Sequence, residues 1–180
     1  MVVIRIIKHR NYEDILHPDE KLLKIWFEAL KRYCLMSQFG LFYENIKVLG
    51  QGNFAKVFLV KRKIDNKEFA VKVFDKKAIM TDELEKKCLI YEVNTLRKLN
   101  SSYVMTMHEL YEGQNYIYCV LEPYYGGQLL QKILKKGNFS ESDSLQIIWR
   151  IIKGLAYLEK EELIHRDLKP ENVILRNNED

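Results

Sequence analysis

The stretch ELIHRDLKPENVIL, residues 162 to 175, places six polar or charged side chains between two apolar runs. They are His165, Arg166, Asp167, Lys169, Glu171 and Asn172. A solvated loop could carry these charges at little cost, but the flanking runs, 163–164 and 173–175, are apolar and indicate buried segments on both sides. A charge beside a core is unfavourable unless it has a partner or a ligand. The stretch therefore predicts a loop whose charged groups take part in binding or catalysis.

The composition is that of a folded chain with one sizeable core, or of one domain with part of another. Of 180 residues, 47% are hydrophobic and 30% are charged. The 29 Lys and Arg exceed the 25 Asp and Glu only slightly and are dispersed, so we expect a solvated surface and no nucleic-acid partner. Three widely spaced cysteines favour free thiols in a reducing compartment. No window approaches the length of a membrane span, so we expect a cytoplasmic protein without a transmembrane segment.

The N-terminal region predicts a strand followed by a helix. The run MVVIRIIKHR, residues 1–10, is too short to span a membrane and is interpreted as a strand. The stretch HPDEKLLKIWFEALKRYC, residues 17–34, predicts a helix with Pro18 in its first turn. Its apolar stripe consists of Leu22, Leu23, Trp26, Ala29, Leu30 and Tyr33.

The middle of the chain predicts an antiparallel sheet interrupted by one helix. Residues 45–74 are interpreted as three antiparallel strands, with a turn near residues 65–66. Thr81 and the two acidic residues after it predict the start of a helix that runs to about Asn100. Two further strands are expected on either side of EGQN, residues 112–115, and a helix from Ser140 to about Lys160.

Two glycines lie between the first two of these strands, in LGQGNFAKV, residues 49–57. Gly50 and Gly52 would let the backbone approach phosphate oxygens closely, and Val57 restarts the apolar alternation. Ala55 stands where a third glycine would complete the GxGxxGxV pattern. An ordinary hairpin turn is the alternative interpretation of the same residues.

A lysine and a glutamate also occupy apolar positions. In FAVKVF, residues 69–74, strand alternation places Lys72 on the same face as Ala70 and Phe74. An edge-strand lysine that reaches water is the alternative to a lysine with an anionic partner. Glu92 lies on the apolar helical face of Leu89 and Leu96 and can supply that partner. A purely structural ion pair also fits these residues.

Taken together, these motifs resemble the eukaryotic serine/threonine protein kinase family. They are LGQGNFAKV, FAVKVF, Glu92, YCVLEPYYGGQL (118–129) and IHRDLKPENVIL (164–175). The resemblance implies an α+β, bilobal protein-kinase-like fold with an antiparallel-sheet small lobe. We expect an N-terminal segment at 1–37, the small lobe with a complete helix C at 41–122, and the hinge and start of the helical large lobe at 123–180.

The resemblance also implies the roles of the catalytic residues. Asp167 is expected to accept the substrate hydroxyl proton, and Lys169 to steady the transferred phosphoryl group. Asn172 is expected to be a ligand of Mg²⁺. Lys72, held by Glu92, would bind the α- and β-phosphates of ATP, and the glycines Gly50 and Gly52 would cover them.

The same resemblance implies an adenine slot. Its apolar walls are expected to be Leu49, Val57, Ala70 and Leu175. Leu121 falls at the gatekeeper position, and the backbone of Glu122 and Tyr124 falls at the hinge. ATP and Mg²⁺ are therefore the expected cofactors, and serine and threonine side chains of proteins the expected substrates. Glu171 matches a carboxylate that meets a substrate arginine in some members, but Gln128 replaces a second acid.

The sequence reaches Asp180 before the DFG and APE motifs of the family. We therefore expect a fragment with an incomplete large lobe, and a catalytically inactive nucleotide-binding or regulatory kinase fragment is the alternative to an active kinase. Arg166 beside Asp167 is similar to the pattern of kinases switched by phosphorylation. Residues 17–34 resemble the last helix of a pleckstrin homology domain, which would imply membrane recruitment through strands upstream. A kinase-specific extension with Trp26 packed on the small lobe is the alternative.

Overall fold

The computed structural model describes residues 2–8, 11–31, 33–51 and 55–177. The N-terminal part forms an antiparallel hairpin of β1 (Val2–Lys8) and β2 (Asn11–His17), followed by helix α1 (Glu20–Leu30). The strand predicted at the N-terminus is therefore confirmed. No helix among the described residues is long and apolar enough to cross a membrane.

Helix α1 begins later than the sequence predicts. Asp19 is its N-cap, and the Asp19 carboxylate accepts a hydrogen bond of 2.9 Å from the backbone N–H of Lys21. Pro18 lies before the cap, so its predicted place in the first turn is wrong. Of the predicted apolar stripe only Leu23 is buried, while the Trp26 side chain is 50% exposed.

A six-stranded sheet forms the small lobe, in the order β3-β7-β8-β6-β5-β4. The strands are β3 (Leu35–Met36), β4 (Tyr43–Gln51), β5 (Ala55–Arg62), β6 (Glu68–Asp75), β7 (Met107–Glu112) and β8 (Tyr116–Leu121). All neighbours pair antiparallel except β3, which pairs parallel to β7. The three strands predicted over residues 45–74 and the two around residues 112–115 are confirmed. Residues 35–36, from the predicted N-terminal segment, are part of the same sheet.

The helices that follow α1 are α2 (Phe39–Phe42), α3 (Lys76–Met80), α4 (Glu83–Lys98), α5 (Leu129–Lys136) and α6 (Glu141–Lys160). Helices α4 and α6 each begin at a residue whose side chain caps the first turn. Asp82 caps α4, and its carboxylate accepts from the N–H of Leu84 at 2.7 Å. Ser140 caps α6 in the same way, accepting from the N–H of Asp143 at 3.1 Å. The predicted ends of α4 and α6 agree with the structure to within two residues.

The sheet carries a hydrophobic cluster on each face. The cluster towards α4 consists of Ala70, Phe74, Ile79, Leu89, Val93, Met107, Leu110, Cys119 and Leu121. The cluster on the opposite face consists of Tyr43, Val60, Phe69, Val71, Tyr111 and Val120. Strand alternation sends successive residues of β6 into the two clusters, as the sequence predicts. Full burial of a Phe or Val side chain contributes about 1.5–3 kcal/mol, so both clusters stabilise this sheet.

The rest of the chain joins the small lobe through residues 122–126. After them come β9 (Gly127–Gln128), α5, α6, a 3₁₀ turn at Pro170–Asn172 and β10 (Ile174–Leu175), which pairs with β9. Helix α6 packs closely against residue 103, because a Cβ on Gly154 would lie only 3.1 Å from the Tyr103 carbonyl oxygen. The α+β fold with a sheet-based small lobe and a partial helical large lobe is confirmed.

Candidate active site

The Lys72 ammonium and the Glu92 carboxylate form an ion pair between β6 and α4. The distance from Nζ to Oε1 is 2.6 Å, and the side chains are 31% and 39% exposed. Strand β6 pairs with β5 on one side and β8 on the other, so Lys72 is not on an edge strand. Its Nζ also lies 4.9 Å from the centre of the Phe74 ring. The pair leaves the ammonium open to an anion on its exposed side.

The glycine-rich segment connects β4 to β5. Gly50 lies in β4 opposite Val57, next to a register shift, and no atom lies within 4 Å of a Cβ built on it. Gly52 lies outside the described residues. Strands β4 and β5 on either side of the segment pair antiparallel, and a phosphate-covering role for the segment stays a prediction.

The predicted adenine-slot residues fall into two groups in space. Ala70 and Leu121 are paired across β6 and β8, and both are buried. Val57 packs at the border of the same cluster, and the Leu49 side chain is 47% exposed. Leu175 lies in β10, also buried, and its carbonyl oxygen accepts a 3.0 Å hydrogen bond from the Gly126 N–H. Leu49, Val57, Ala70 and Leu121 therefore lie on the sheet, whereas Leu175 contacts the chain at residues 126–127.

Hydrogen bonds join the hinge, residues 122–126, to residues 104–108 of the small lobe. The backbone N–H of Glu122 donates to the Thr106 carbonyl at 3.0 Å, and its Oε2 lies 2.5 Å from Nε2 of His108. The Tyr124 hydroxyl donates to the Val104 carbonyl at 3.4 Å, and burial raises the pKa of this phenol. In the part of the chain that the structure describes, the Tyr124 N–H and the Glu122 carbonyl have no hydrogen-bond partner. Both backbone groups are thus available to a ligand.

The charged loop forms a hydrogen-bonded set around Asp167. Nζ of Lys169 and Nδ2 of Asn172 each lie 2.9 Å from Oδ2 of Asp167, and Nδ2 also donates to the Asp167 carbonyl at 2.7 Å. The Asp167 N–H donates to Nδ1 of His165 at 3.3 Å. Arg166 adopts a positive φ of 67°, which turns the backbone sharply before the carboxylate.

Electrostatics keep this carboxylate ionised. The hydrogen bond from Lys169, followed by the one from Asn172, lowers the pKa of Asp167, and Asp167 in turn raises the pKa of Lys169. The Asp167 side chain is 64% exposed, so a substrate can reach it. Both of these side-chain hydrogen bonds to the carboxylate use Oδ2.

The donor set fits ATP and Mg²⁺ in part. The amide nitrogen of Asn172 is used on Asp167, so its oxygen is the atom left to bind a cation, and Mg²⁺ prefers oxygen ligands. Among the described residues, no group of three or more His, Cys, Asp or Glu side chains could hold a metal ion. Asn172 therefore supplies one ligand, and phosphate oxygens and water would complete the coordination.

Several residues near the site were not found by sequence reasoning. A Cβ on Gly126 would lie 2.1 Å from the Asn177 carbonyl oxygen and 2.6 Å from Cβ of Leu175, so only glycine fits there. The Arg176 guanidinium lies 5.8 Å from the centre of the Tyr124 ring and donates to the Ser102 carbonyl at 3.2 Å. The paired glycines at 126–127 could have indicated that another backbone segment approaches closely there. No local sequence signal indicates the role of Arg176, because its contact partners are distant in sequence.

A cavity of about 530 Å³ lies behind the loop, between α4 and α6. Its lining includes His165, Leu168 and Asn172 from the loop and Leu96 from α4. Asp167 is not one of the residues that line this cavity.

Together the fold and the site define a protein-kinase-like molecule: a small lobe with a Lys–Glu pair, a hinge, and an HRD loop with its asparagine. The chain belongs to the protein kinase domain family, whose family model matches residues 43–180. The resemblance found in the sequence is therefore confirmed. The pleckstrin homology interpretation of residues 17–34 stays a prediction.

The chain is similar to several proteins that are kinases by name. The chain is 39% identical to calcium-dependent protein kinase 4 of Plasmodium berghei over 140 residues, which are 77% of this chain and 26% of that protein. It is 35% identical to myosin light chain kinase A of Dictyostelium discoideum over 144 residues, 80% of this chain and 48% of that one. It is also 35% identical to calcium/calmodulin-dependent protein kinase type 1 of Caenorhabditis briggsae over 139 residues, 77% of this chain and 38% of that one. The chain thus spans about a quarter to a half of the length of these curated relatives.

Proposed function

We propose that the protein is an ATP-dependent protein kinase that transfers the γ-phosphoryl group to serine or threonine hydroxyls of proteins. The observation that carries the proposal is the placement of Asp167. Its carboxylate accepts hydrogen bonds from Lys169 and Asn172, is kept ionised by them, and belongs to a side chain that is 64% exposed. A general base must be unprotonated and must come within hydrogen-bond reach of the hydroxyl whose proton it accepts.

Three residues of the loop have different roles in the proposed reaction. Asp167 accepts the proton of the attacking hydroxyl and orients that oxygen. The Lys169 ammonium, 2.9 Å from the base, stabilises the negative charge of the transferred group. When bound, Mg²⁺ supplies neutralisation of phosphate charge, and the Asn172 oxygen would be one of its ligands.

The small lobe holds the nucleotide. Lys72, oriented by Glu92, binds the α- and β-phosphates, and the segment with Gly50 and Gly52 covers them. The adenine ring lies between the apolar walls Leu49, Val57, Ala70 and Leu175, next to Leu121. The Glu122 carbonyl and the Tyr124 N–H bind its polar edge. Catalysis then consists of positioning and charge stabilisation rather than of covalent chemistry.

The name of one relative supports this substrate class: the chain is 35% identical over 159 residues to a probable serine/threonine-protein kinase of Dictyostelium discoideum, which is 87% of this chain and 27% of that protein. The three free cysteines suit a reducing compartment, and we place the activity in the cytoplasm.

The test has two separate measurements. Binding of a fluorescent ATP analogue with Mg²⁺ to the 180-residue chain examines the nucleotide site. Transfer of radioactive phosphate from ATP to a peptide library by the full-length gene product, followed by phosphoamino-acid analysis, examines the reaction. Phosphoserine or phosphothreonine is the expected product. Binding without any transfer by the full-length product would leave only the catalytically inactive nucleotide-binding alternative.

A further inference from the structure

A buried carboxylate lies on the face of the sheet opposite the nucleotide site. Glu109 in β7 is 3% exposed, and its Oε2 accepts hydrogen bonds from the hydroxyls of Tyr43 at 2.9 Å and Tyr111 at 2.7 Å. Its Oε1 lies 2.7 Å from Nζ of Lys31, at the end of α1. Nothing in the kinase chemistry described above uses this group.

Lys31 is the principal cation of this site. Burial alone would raise the pKa of Glu109, but hydrogen bonds from Lys31 and Tyr111 outweigh it, and the carboxyl pKa lies below its usual range. Arg62 is more distant, at 3.8 Å from Oε1, and its guanidinium is bound to Asp65 at 2.5 Å. A buried carboxylate needs a partner charge, and Lys31 supplies the one in direct contact.

The residues after Lys31 cover the same face of the sheet. We call residues 33–43, together with Lys31, the N-terminal strap. Its Leu35–Met36 strand pairs parallel to β7, opposite residues 110–111. Its Phe39 ring stacks on Tyr43 at 5.0 Å and on Tyr118 at 4.4 Å between centroids. The strap is thus packed on β7 beside Glu109.

Strand β7 continues from Glu109 directly to the hinge. The register between β7 and β8 shifts between Met107 and Glu109, so His108 is an extra residue in the ladder. Nε2 of His108 lies 2.5 Å from the carboxylate of Glu122, the first hinge residue. Consecutive residues of one strand therefore contact the strap and the hinge. A bulge of this kind can redirect a side chain next to a functional site.

We propose that Lys31 is a positioning residue: by filling the socket formed by Glu109, Tyr43 and Tyr111, it fixes the β7 bulge and thereby holds His108 against hinge residue Glu122. The N-terminal strap is then part of the nucleotide-binding apparatus and not a passive linker. The expected effect of Lys31 on nucleotide affinity rests on the proposed function. Its expected effect on the order of β7 and the hinge is independent of that function.

The experiment compares the 180-residue chain with K31M, K31R and the control K24M. Lys24 lies on the same helix and is exposed. Hydrogen–deuterium exchange is measured over residues 107–112 and 121–125, with residues 55–62 as an internal reference. We expect K31M to accelerate exchange several-fold in the first two segments and less in the reference, and to weaken binding of a fluorescent ATP analogue. K31R should restore most of both, because it returns a cation to the socket, and K24M should match wild type.

Three results would overturn the proposal: K31M equal to K24M in exchange, uniform acceleration across the whole sheet, or no recovery in K31R. If K31M does not fold, the double variant K31M/E109Q takes its place, because it removes the uncompensated carboxylate along with the lysine. That variant should fold and still show faster exchange at the hinge, and unchanged exchange would also overturn the proposal. If no version binds the nucleotide analogue, wild type included, the proposed function fails, and the exchange data alone decide the role of Lys31.

Discussion

Nζ of Lys72 lies 2.6 Å from Oε1 of Glu92, so a central strand and a helix are joined by one ion pair at the phosphate end of the proposed site. Lys72→Met and Glu92→Gln should each weaken nucleotide binding. The double variant should lose less than the sum, with a coupling of about 0.5–3 kcal/mol, because the two side chains act as one unit. Stability should change by less than about 1 kcal/mol, since both side chains are partly exposed.

A double-mutant cycle by titration calorimetry with an ATP analogue measures this coupling. The matched control is the ion pair of Lys76 with Glu112 elsewhere on the lobe, where Lys76→Met and Glu112→Gln should leave nucleotide affinity unchanged. Strictly additive losses at Lys72 and Glu92 would mean that the pair does not orient the lysine.

Asp167→Asn should strongly lower the turnover of phosphotransfer and leave nucleotide affinity nearly unchanged, because Asp167 acts on the hydroxyl and not on ATP. Loss of a general base lowers turnover by about 10²–10⁴-fold. Single-turnover phosphotransfer by the full-length gene product measures it. Asp143→Asn, an equivalent change on α6 at a surface ion pair with Lys136, serves as the control. Wild-type turnover in the Asp167 variant would refute its assignment as the base.

Lys169→Met should raise the pKa of the Asp167 carboxyl towards its ordinary range, because the Lys169 hydrogen bond is the largest cause of its lowering. The sign follows from the native state: a lowered pKa keeps Asp167 ionised further down in pH. Removal of Lys169 therefore moves the loss of the base form to higher pH. Carboxyl-carbon NMR titration of the 180-residue chain measures this, with Lys153→Met as control. An unchanged or lower Asp167 pKa would contradict the arrangement of the loop.

Gly126→Ala should destabilise the chain by about 1–3 kcal/mol, because the new Cβ would overlap the Asn177 carbonyl oxygen and Leu175. Denaturant unfolding measures this loss. Gly40→Ala is the matched control, since nothing lies within 4 Å of a Cβ at Gly40. Equal stability of the two variants would show that β10 does not approach the hinge so closely.

The 180-residue chain should bind apolar dyes and self-associate through α6. Ile148, Trp149 and Ile152 on this helix are 52%, 53% and 56% exposed, and large exposed apolar patches act as interaction surfaces. Ile148→Glu combined with Ile152→Lys should lower dye fluorescence and favour the monomer in size-exclusion chromatography. Ile64→Lys, at an exposed position in the turn between β5 and β6, should not. Equal behaviour of the two variants would exclude α6 as the source.

Local signals predicted most of the small lobe. Alternation in FAVKVF predicted the two faces of β6, the capping signal at residues 81–83 predicted the start of α4, and the helical pattern from Ser140 onward predicted the start of α6. The contact between Lys72 and Glu92 was predicted from two separate periodic patterns, because each placed a charge on an apolar face.

Long-range contacts made by single polar residues were not predictable in this way. Glu109 reads in the sequence as an ordinary exposed residue of a strand, and only the fold brings Lys31 and Tyr43 to it. His108 contacts Glu122 at a bulge in β7, and the hydrophobic pattern of the sequence does not reveal a bulge. The roles of the loop and slot residues stay predictions that rest on the family resemblance.

The hydrophobic clusters on both faces of the six-stranded sheet also restrict its motions. A sheet covered on both sides cannot let one strand slide past the next without opening a cavity in one cluster or the other. The small lobe should therefore move as a single rigid body. Opening and closing of the cleft must then occur through dihedral changes at residues 122–126, which lie in neither strand nor helix. The rate at which a bound nucleotide escapes would be governed by those five residues rather than by the strands that contact it.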